Sequence, residues 1–384
     1  MPLNYLQLQP QIDIYAQSAV TRHRDLALKL QIALNLMQVC GQQHSAVRPT
    51  VNTNIATNGR GVRCAFLADE PCNSTFDPPQ TSTTYILLTS DGSQIIPNPH
   101  DALPVALINT SRLSYRPGSG QAPQVDVTTK FLTGEQENSP AERLSEALIS
   151  LYRDVDEMSL LADWQNDSGL PLIALGDGPL ELFQQPQNEV DFNRIFEMYL
   201  AVLRQLHAKN MSAAGYTDRP RASLVAKMLE FVNEGGQMVN LDGLEDLAIF
   251  SNLLKPGQRS AVFALWSTSS QKYTGDLALY FFYLNVGSEK FPWIARIEIP
   301  AYVAADIRQV DLLHSALLEQ CRLMGTRPYP YLLHRAHEEA VVSREEKEKL
   351  INRLEIELQR NGLGISTQSN KLSAKELQSR TRME

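Results

Sequence analysis

The 384-residue chain has little cysteine, no long apolar run and no excess of positive charge. Each shortage removes a class of protein. The four cysteines, Cys40, Cys64, Cys72 and Cys321, form no C-x-x-C pair and fit no zinc spacing. A zinc module is excluded on that count, and reduced thiols in a cytoplasmic protein are expected. No apolar stretch approaches the roughly 18 residues of a membrane span, and Met1–Tyr5 begins no signal peptide, so no membrane partner is expected. Lys and Arg number 35 against 43 Asp and Glu, a net charge of −8. The global basic signature of a nucleic-acid binder is therefore missing, and any such attraction has to come from local patches or bound metal. There is no Walker-type G-x-x-x-x-G-K-[ST], and the glycines are not clustered into paired phosphate loops. That speaks against a phosphotransferase of the actin-like ATPase class. No internal repeat is visible.

What remains is a chain with 43% hydrophobic residues, enough for two modest domains or one elaborated one. One stretch organises it. Leu172-Ile173-Ala174-Leu175-Gly176 is an apolar run of strand length, bounded by breakers and closed by Asp177-Gly178-Pro179. Such a run predicts a strand buried on both faces, with a carboxylate at its end and a turn after it. Tyr85–Ser90 followed by Asp91-Gly92-Ser93 has the same grammar. Asp-Gly is a common turn dipeptide, so either end can be a plain turn. If the two strands are neighbours, Asp91 and Asp177 converge. Their repulsion is then relieved by a divalent cation between them.

Around these two strands the chain reads in order. Ile14–Val39 predicts a helix apolar on much of its surface, which serves either as core or as a dimer contact. Residues 44–84, rich in Asn, Thr, Pro and Gly, read mostly as an extended arm with one strand at Val62–Leu67. After the Asp91 strand and a break at Pro97–His100, strands are expected at 104–110 and 125–131, completing an antiparallel meander. A helix follows from about Pro140 to Trp164, with Ser139 and Glu142 at capping spacing, and Glu146 and Glu157 lie on it. Then come the Asp177 strand, a helix over 191–209 and a strand over 211–216. Three strands, a helix and a fourth strand, with acids on the first strand, the helix and the fourth, is the order of a ribonuclease H-like fold. The expected class is α/β, a mixed sheet flanked by helices.

Arg219 and Arg221 form a basic loop ahead of a helix at 224–232, where they and the helix N-terminus are suited to a phosphate, unless they are plain surface arginines. Asp242, Glu245 and Asp246 read as a solvated acidic face. Residues 278–286 and 292–299 read as paired strands around Gly287, the second alternating about Arg296 and Glu298, and a helix is expected over 304–323. Near the end, Tyr329-Pro330-Tyr331-Leu332-Leu333-His334-Arg335-Ala336-His337 mixes Tyr, Arg and His densely. Ser343 and Glu346 have capping-box spacing at the start of a last helix, and the tail from Ser366 is polar.

Taken together, Ser90-Asp91-Gly92-Ser93, Arg153-Asp154-Val155-Asp156-Glu157, Leu175-Gly176-Asp177-Gly178-Pro179-Leu180, Gly215-Tyr216, Tyr329 and Ala336-His337 resemble the NurA nuclease family in order and spacing. The resemblance implies a ribonuclease H-like core and manganese-dependent cleavage of DNA ends and single strands. It also implies a homodimer and a HerA-like hexameric ATPase as partner in DNA end processing. By position it assigns Asp91, Glu157 and Asp177 to Mn²⁺ or Mg²⁺, with Glu146 as the alternative helix acid. Tyr329 and His337 match the family's late catalytic pair, His337 as metal ligand or proton relay. The 44–84 segment and the overall acidity have no match in that pattern. The implied division is an N-terminal helix and arm over 1–80, a nuclease domain over 81–362 and a tail over 363–384. The alternative on the same fold is a non-catalytic adaptor or DNA-binding partner of a ring ATPase.

Overall fold

The computed structural model describes residues 3–59, 61–80, 84–96, 106–132, 145–166, 168–183, 189–232 and 239–362. In chain order the elements are α1 (Tyr5–Gln42), α2 (His44–Asn58), β1 (Cys64–Leu67), β2 (Thr75–Phe76), β3 (Ile86–Ile95), β4 (Ala106–Tyr115), β5 (Gln124–Leu132), α3 (Glu146–Ala162) and β6 (Leu172–Asp177). They continue with α4 (Glu189–Ala208), β7 (Met211–Asp218), α5 (Leu224–Leu229), α6 (Asp246–Leu253), β8 (Arg259–Ser260) and β9 (Phe263–Trp266). The last are β10 (Leu279–Asn285), β11 (Ile294–Pro300), α7 (Ala301–Ala304), α8 (Ile307–Leu323), α9 (Tyr331–Ala340) and α10 (Arg344–Arg360). The Pro97–His100 break, the Ser139–Glu142 cap and the tail from Ser366 lie outside the described residues.

These elements sort into two units. One comprises Thr84–Asp177, Leu182–Ala213 and Tyr331–Glu384. In it β3, β4 and β5 form an antiparallel meander, with Asp91 opposite Ser111 and Ser111 opposite Val127. The chain then crosses through α3, whose Ser145 N-cap accepts the Leu148 N–H, and returns as β6 parallel to β3. Leu87 pairs with Ile173 and Ser90 with Gly176. Leu172 to Leu175 are buried, as a strand covered on both faces requires. Helix α3 lies over one face, where Met158 Sδ stands 3.5 Å from the position a Gly176 Cβ would take. The other face carries α9, held by hydrogen bonds from β3 and β4. This is the ribonuclease H-like order of strands and helix, a mixed sheet with helices on both sides.

The strand bearing Asp91 departs from its expected grammar. It does not end at the acid: β3 runs on through Asp91 and Gly92 to Ile95, paired with β4 throughout. Only its parallel ladder with β6 stops, at Ser90. Gly92 makes no turn.

The other unit comprises Met1–Thr83, Gly178–Glu181 and Ala214–Pro330. Its strands β10 and β11 form the expected hairpin, and β11 also pairs with β7. Every residue of β11 is buried, so Arg296 and Glu298 do not mark a solvent face. They pair with each other at 2.9 Å, because a buried charge needs an opposite one. The segment read as an extended arm opens with a helix, α2, and only then runs through β1 and β2. Val51 and Ile55, one turn apart, are buried and anchor α2, which overrides the poor propensities of Pro49, Thr50 and Thr53. Of α1, residues 33–41 supply the buried positions, while Leu6, Ile14 and Tyr15 are exposed.

Candidate active site

Because β3 and β6 run in parallel register to the Ser90–Gly176 pair, Asp91 and Asp177 each follow by one step on adjacent strands. Partners in a parallel ladder share a face, and neighbouring strands lie about 4.8 Å apart. Side chains alternate along β3. Thr89, Asp91 and Ser93 turn to α9, where Thr89 Oγ1 donates to Leu332 O and Ser93 Oγ to Ala340 O. Gly92 turns to α3.

His337 comes from α9, one residue beyond the Ala336 carbonyl. Its Nδ1 lies 2.7 Å from Asp91 Oδ2. The other oxygen, Asp91 Oδ1, accepts the Gly92 N–H at 2.8 Å. An ionised carboxylate only accepts, so the proton of this contact sits on Nδ1 and Nε2 is left for other work. His337 is exposed and Asp91 largely covered.

Glu157 arrives from α3 and so from the opposite face of β3. Its Oε1 stands 2.6 Å from the point where a Cβ on Gly92 would be. Only glycine leaves that space open. Arg153, one turn earlier on the same helix, pairs with Glu157 at 3.1 Å and with Asp154 at 3.0 Å. Burial pushes the Glu157 carboxyl well above the usual carboxylate range; Arg153 opposes this, and the charges of Asp154, Asp91 and Asp177 push it further up. The Arg153 guanidinium is raised against its own burial by Glu157, Asp154 and Asp91. These are carboxylates that repel one another with one arginine between them.

Of the residues singled out in the sequence, one unit holds Asp91, Glu157, Asp177 and His337, and direct contact joins Asp91 to His337. Glu146, the alternative helix acid, is the first residue of α3, three turns before Glu157. Tyr329, Arg219 and Arg221 belong to the other unit. There Tyr329 is half-buried and meets the ring of Tyr216 edge-on at 5.5 Å between centroids. Arg219, with φ +40°, lays its guanidinium over Trp293, 4.8 Å from the ring centroid.

The helix end expected to assist these arginines is already filled. Asp246 is buried, and its carboxylate accepts the Val225 and Ala226 N–H groups that open α5 and the Tyr283 hydroxyl. This corrects two expectations, since Asp246 is no part of a solvated face and α5 has no vacant N–H groups there for phosphate.

The donor set suits a hard divalent cation, being carboxylate oxygen with one imidazole. Glycine at position 92 lets one of those carboxylates reach the strand that carries another. Among the described residues, no three His, Cys, Asp or Glu side chains stand close enough together to enclose an ion. Sequence reasoning took Gly92 for a turn and gave Arg153 no role. Thr89, Ser93, Asn109 and Ser111 lie within continuous polar runs of β3 and β4, so no alternation in the sequence marked them.

Among the described residues, no helix is long and apolar enough to cross a membrane. No curated protein matches the sequence. Solved structures with some likeness include the catalytic domain of human endonuclease V, at 13% identity over 78% of this chain and 95% of that one, TM-score 0.33. Another is LC9-RNase H1, described as a type 1 RNase H with the type 2 active-site motif, at 7% identity over 42% of this chain and 80% of that one, TM-score 0.24. A family model described as the NurA domain matches residues 87–342.

Proposed function

The chain belongs to the NurA family, and on that footing we propose that it is a divalent-metal-dependent DNA nuclease that hydrolyses phosphodiester bonds. The observation that carries this reading is the mutual electrostatics of acids from three elements: Glu157 on α3 is held toward its neutral form by burial and by Asp91 on β3 and Asp177 on β6. A cation reverses that balance and lets all three ionise.

Asp91, Glu157 and Asp177 are the residues that would hold Mn²⁺ or Mg²⁺. Such an ion, when bound, supplies activation of water and stabilisation of the leaving oxygen. The chain's own groups do the rest. Asp91 accepts from His337 Nδ1 and fixes the ring, so that Nε2 takes up or returns a proton during hydrolysis. Arg153 neutralises part of the charge of Glu157 and keeps its carboxylate at the gap over Gly92. Orientation of the scissile phosphate by Tyr329, and contacts from Arg219 and Arg221 to the DNA backbone, are further parts of the proposal.

The finer reading is exonuclease and single-strand endonuclease action in end processing and double-strand break repair, in the cytoplasm. It includes a homodimer working with a HerA-like hexameric ATPase. It rests on the resemblance of the motifs, as does the proposed division into an N-terminal segment over 1–80, a nuclease domain over 81–362 and a tail over 363–384.

The test is cleavage of labelled single-stranded and duplex DNA with Mn²⁺, with and without EDTA, by the native protein and by Asp177→Asn. The native protein cuts, EDTA stops it, and the variant folds but does not cut. A native protein that stays inert with Mn²⁺, alone and with a ring ATPase, overturns the reading in favour of an adaptor. Full activity of Asp177→Asn removes that acid from the site.

A further inference from the structure

We infer that Ser111 is a positioning residue that sets the Asp91–His337 pair, by holding the backbone of α9 at the peptide that carries His337. The inference rests on the nuclease reading for its activity readout and on geometry alone for its structural one.

Ser111 stands directly opposite Asp91 in the antiparallel β3–β4 ladder, and register partners share a face. It is fully buried, and its Oγ donates to Ala336 O at 2.7 Å. Ala336 O belongs to the peptide group whose nitrogen is that of His337. The sheet therefore reaches the histidine twice from one register position. Asp91 takes the ring at Nδ1, and Ser111 takes the main chain.

Three other polar side chains extend the same seam. Thr89 Oγ1 donates to Leu332 O at 3.1 Å, Asn109 Nδ2 to Ala340 O at 2.9 Å and Ser93 Oγ to Ala340 O at 2.5 Å. Asn109 Oδ1 in turn accepts from Thr129 on β5 at 2.6 Å, so all three meander strands contribute.

A helix packed only by apolar side chains can slide by fractions of an ångström at little cost. A hydroxyl bonded to a mid-helix carbonyl fixes rotation and rise together. Thr89, Ser93 and Asn109 hold the carbonyls of Leu332 and Ala340, near the two ends of α9. Ser111 holds the one at the catalytic turn. Loss of its hydroxyl leaves the helix attached and lets His337 swing relative to Asp91.

The experiment compares Ser111→Ala, Ser111→Thr and, as a control, Thr89→Val in the full chain. For Ser111→Ala the expected result is a fall in kcat of about tenfold or more, with KM for DNA close to native and a Tm no lower than that of Thr89→Val, since misplacement of about 1 Å costs up to ~10²-fold and both changes remove one buried hydroxyl bond to α9. Ser111→Thr keeps a hydroxyl and restores the rate. Thr89→Val lowers Tm without that selective loss of kcat.

Independently of cleavage, the His337 ring is followed at one fixed pH by the NMR shifts of its two nitrogens, which report the share of rings that carry the proton on Nδ1. The Nδ1-protonated form dominates in the native protein, through its contact with Asp91, and gives way to the mixture of an unheld imidazole in Ser111→Ala. If Ser111→Ala keeps native kcat, or keeps the native nitrogen shifts, the positioning role is wrong. If the native protein never cuts but Ser111→Ala still loses the Nδ1-protonated form, the nuclease reading fails and the positioning role stands.

Discussion

Replacing Gly92 by alanine probes how Glu157 is placed. The φ of Gly92 lies outside the left-handed region, so alanine is tolerated by the backbone. The effect then comes from the added methyl alone. Its carbon falls 2.6 Å from Glu157 Oε1 and 2.7 Å from Arg153 Cγ, where ordinary contact begins at 3.4 Å. The Glu157 oxygen must therefore retreat by about 0.8 Å, the difference of those two distances, and Arg153 by a similar amount. The Glu157 oxygen is the far end of a flexible side chain and can yield, whereas Arg153 Cγ sits close to its backbone and yields less. The stability cost thus falls within the overpacking range, about 1–3 kcal/mol, or a few degrees in Tm.

On the proposed nuclease reading the rate suffers more, because displacing a carboxylate that would hold metal by most of an ångström costs on the order of 10²-fold in kcat. The assay is Mn²⁺-dependent cleavage of linear DNA beside a thermal melt of the same sample. Native cleavage at a native Tm would refute the idea that the gap over Gly92 seats Glu157. A collapse of Tm by far more than a few degrees would show that the site cannot yield as described.

Three further outcomes follow from buried charges. Glu157→Gln abolishes cleavage yet raises Tm at neutral pH. The native carboxyl is raised by burial and by neighbouring acids, so its stabilising share is full below the unfolded value near ~4.3 and declines as pH climbs toward the folded one. Asp246, pushed up to about 6 by burial, likewise adds most stability below about pH 4 and loses it as pH rises to about 6. Urea titrations of native protein and Asp246→Asn across that window should differ in slope by an amount integrating to ~3 kcal/mol. Glu70→Ala strands the fully buried Arg259 guanidinium, which Glu70 holds through two 3.0 Å contacts. The melt should show a loss of about 3 kcal/mol, and a loss below ~1 kcal/mol would mean that water reaches Arg259.

Much of the fold was legible where one physical signal dominated. The unbroken apolar run 172–175 could only be a strand covered on both faces, and the Asp177 end followed from it. The stripe Leu148, Leu151, Val155, Met158 and Leu161 gave α3 its buried face. The capping box of α10 was readable because it is local, and Ser343 and Glu346 do cap each other.

Legibility failed where tertiary contact decided. Val51 and Ile55 make α2 a helix through burial, against the propensities of their neighbours. The Asp91-Gly92 dipeptide has the composition of a turn, but glycine is there for the close approach of Glu157, which no local pattern encodes. Asp246 looked solvated because charge usually is, and only the structure supplies the partners that permit its burial and that of the Arg296–Glu298 pair. That β3, α3 and β6 would each carry an acid was legible by order. That Glu157 and Asp91 come to β3 from opposite faces was not, because face depends on pleat register.

The two units are interleaved along the polypeptide. The chain passes from one to the other after Thr83, Asp177, Glu181, Ala213 and Pro330. No single pair of end points excises either half intact. A fragment beginning at the Asp91 strand and stopping before α9 lacks His337 and the helix that carries it. One stopping after α9 takes in Ala214–Pro330 as well. Each unit is thus assembled from three separate stretches of chain, and no continuous fragment corresponds to one unit alone.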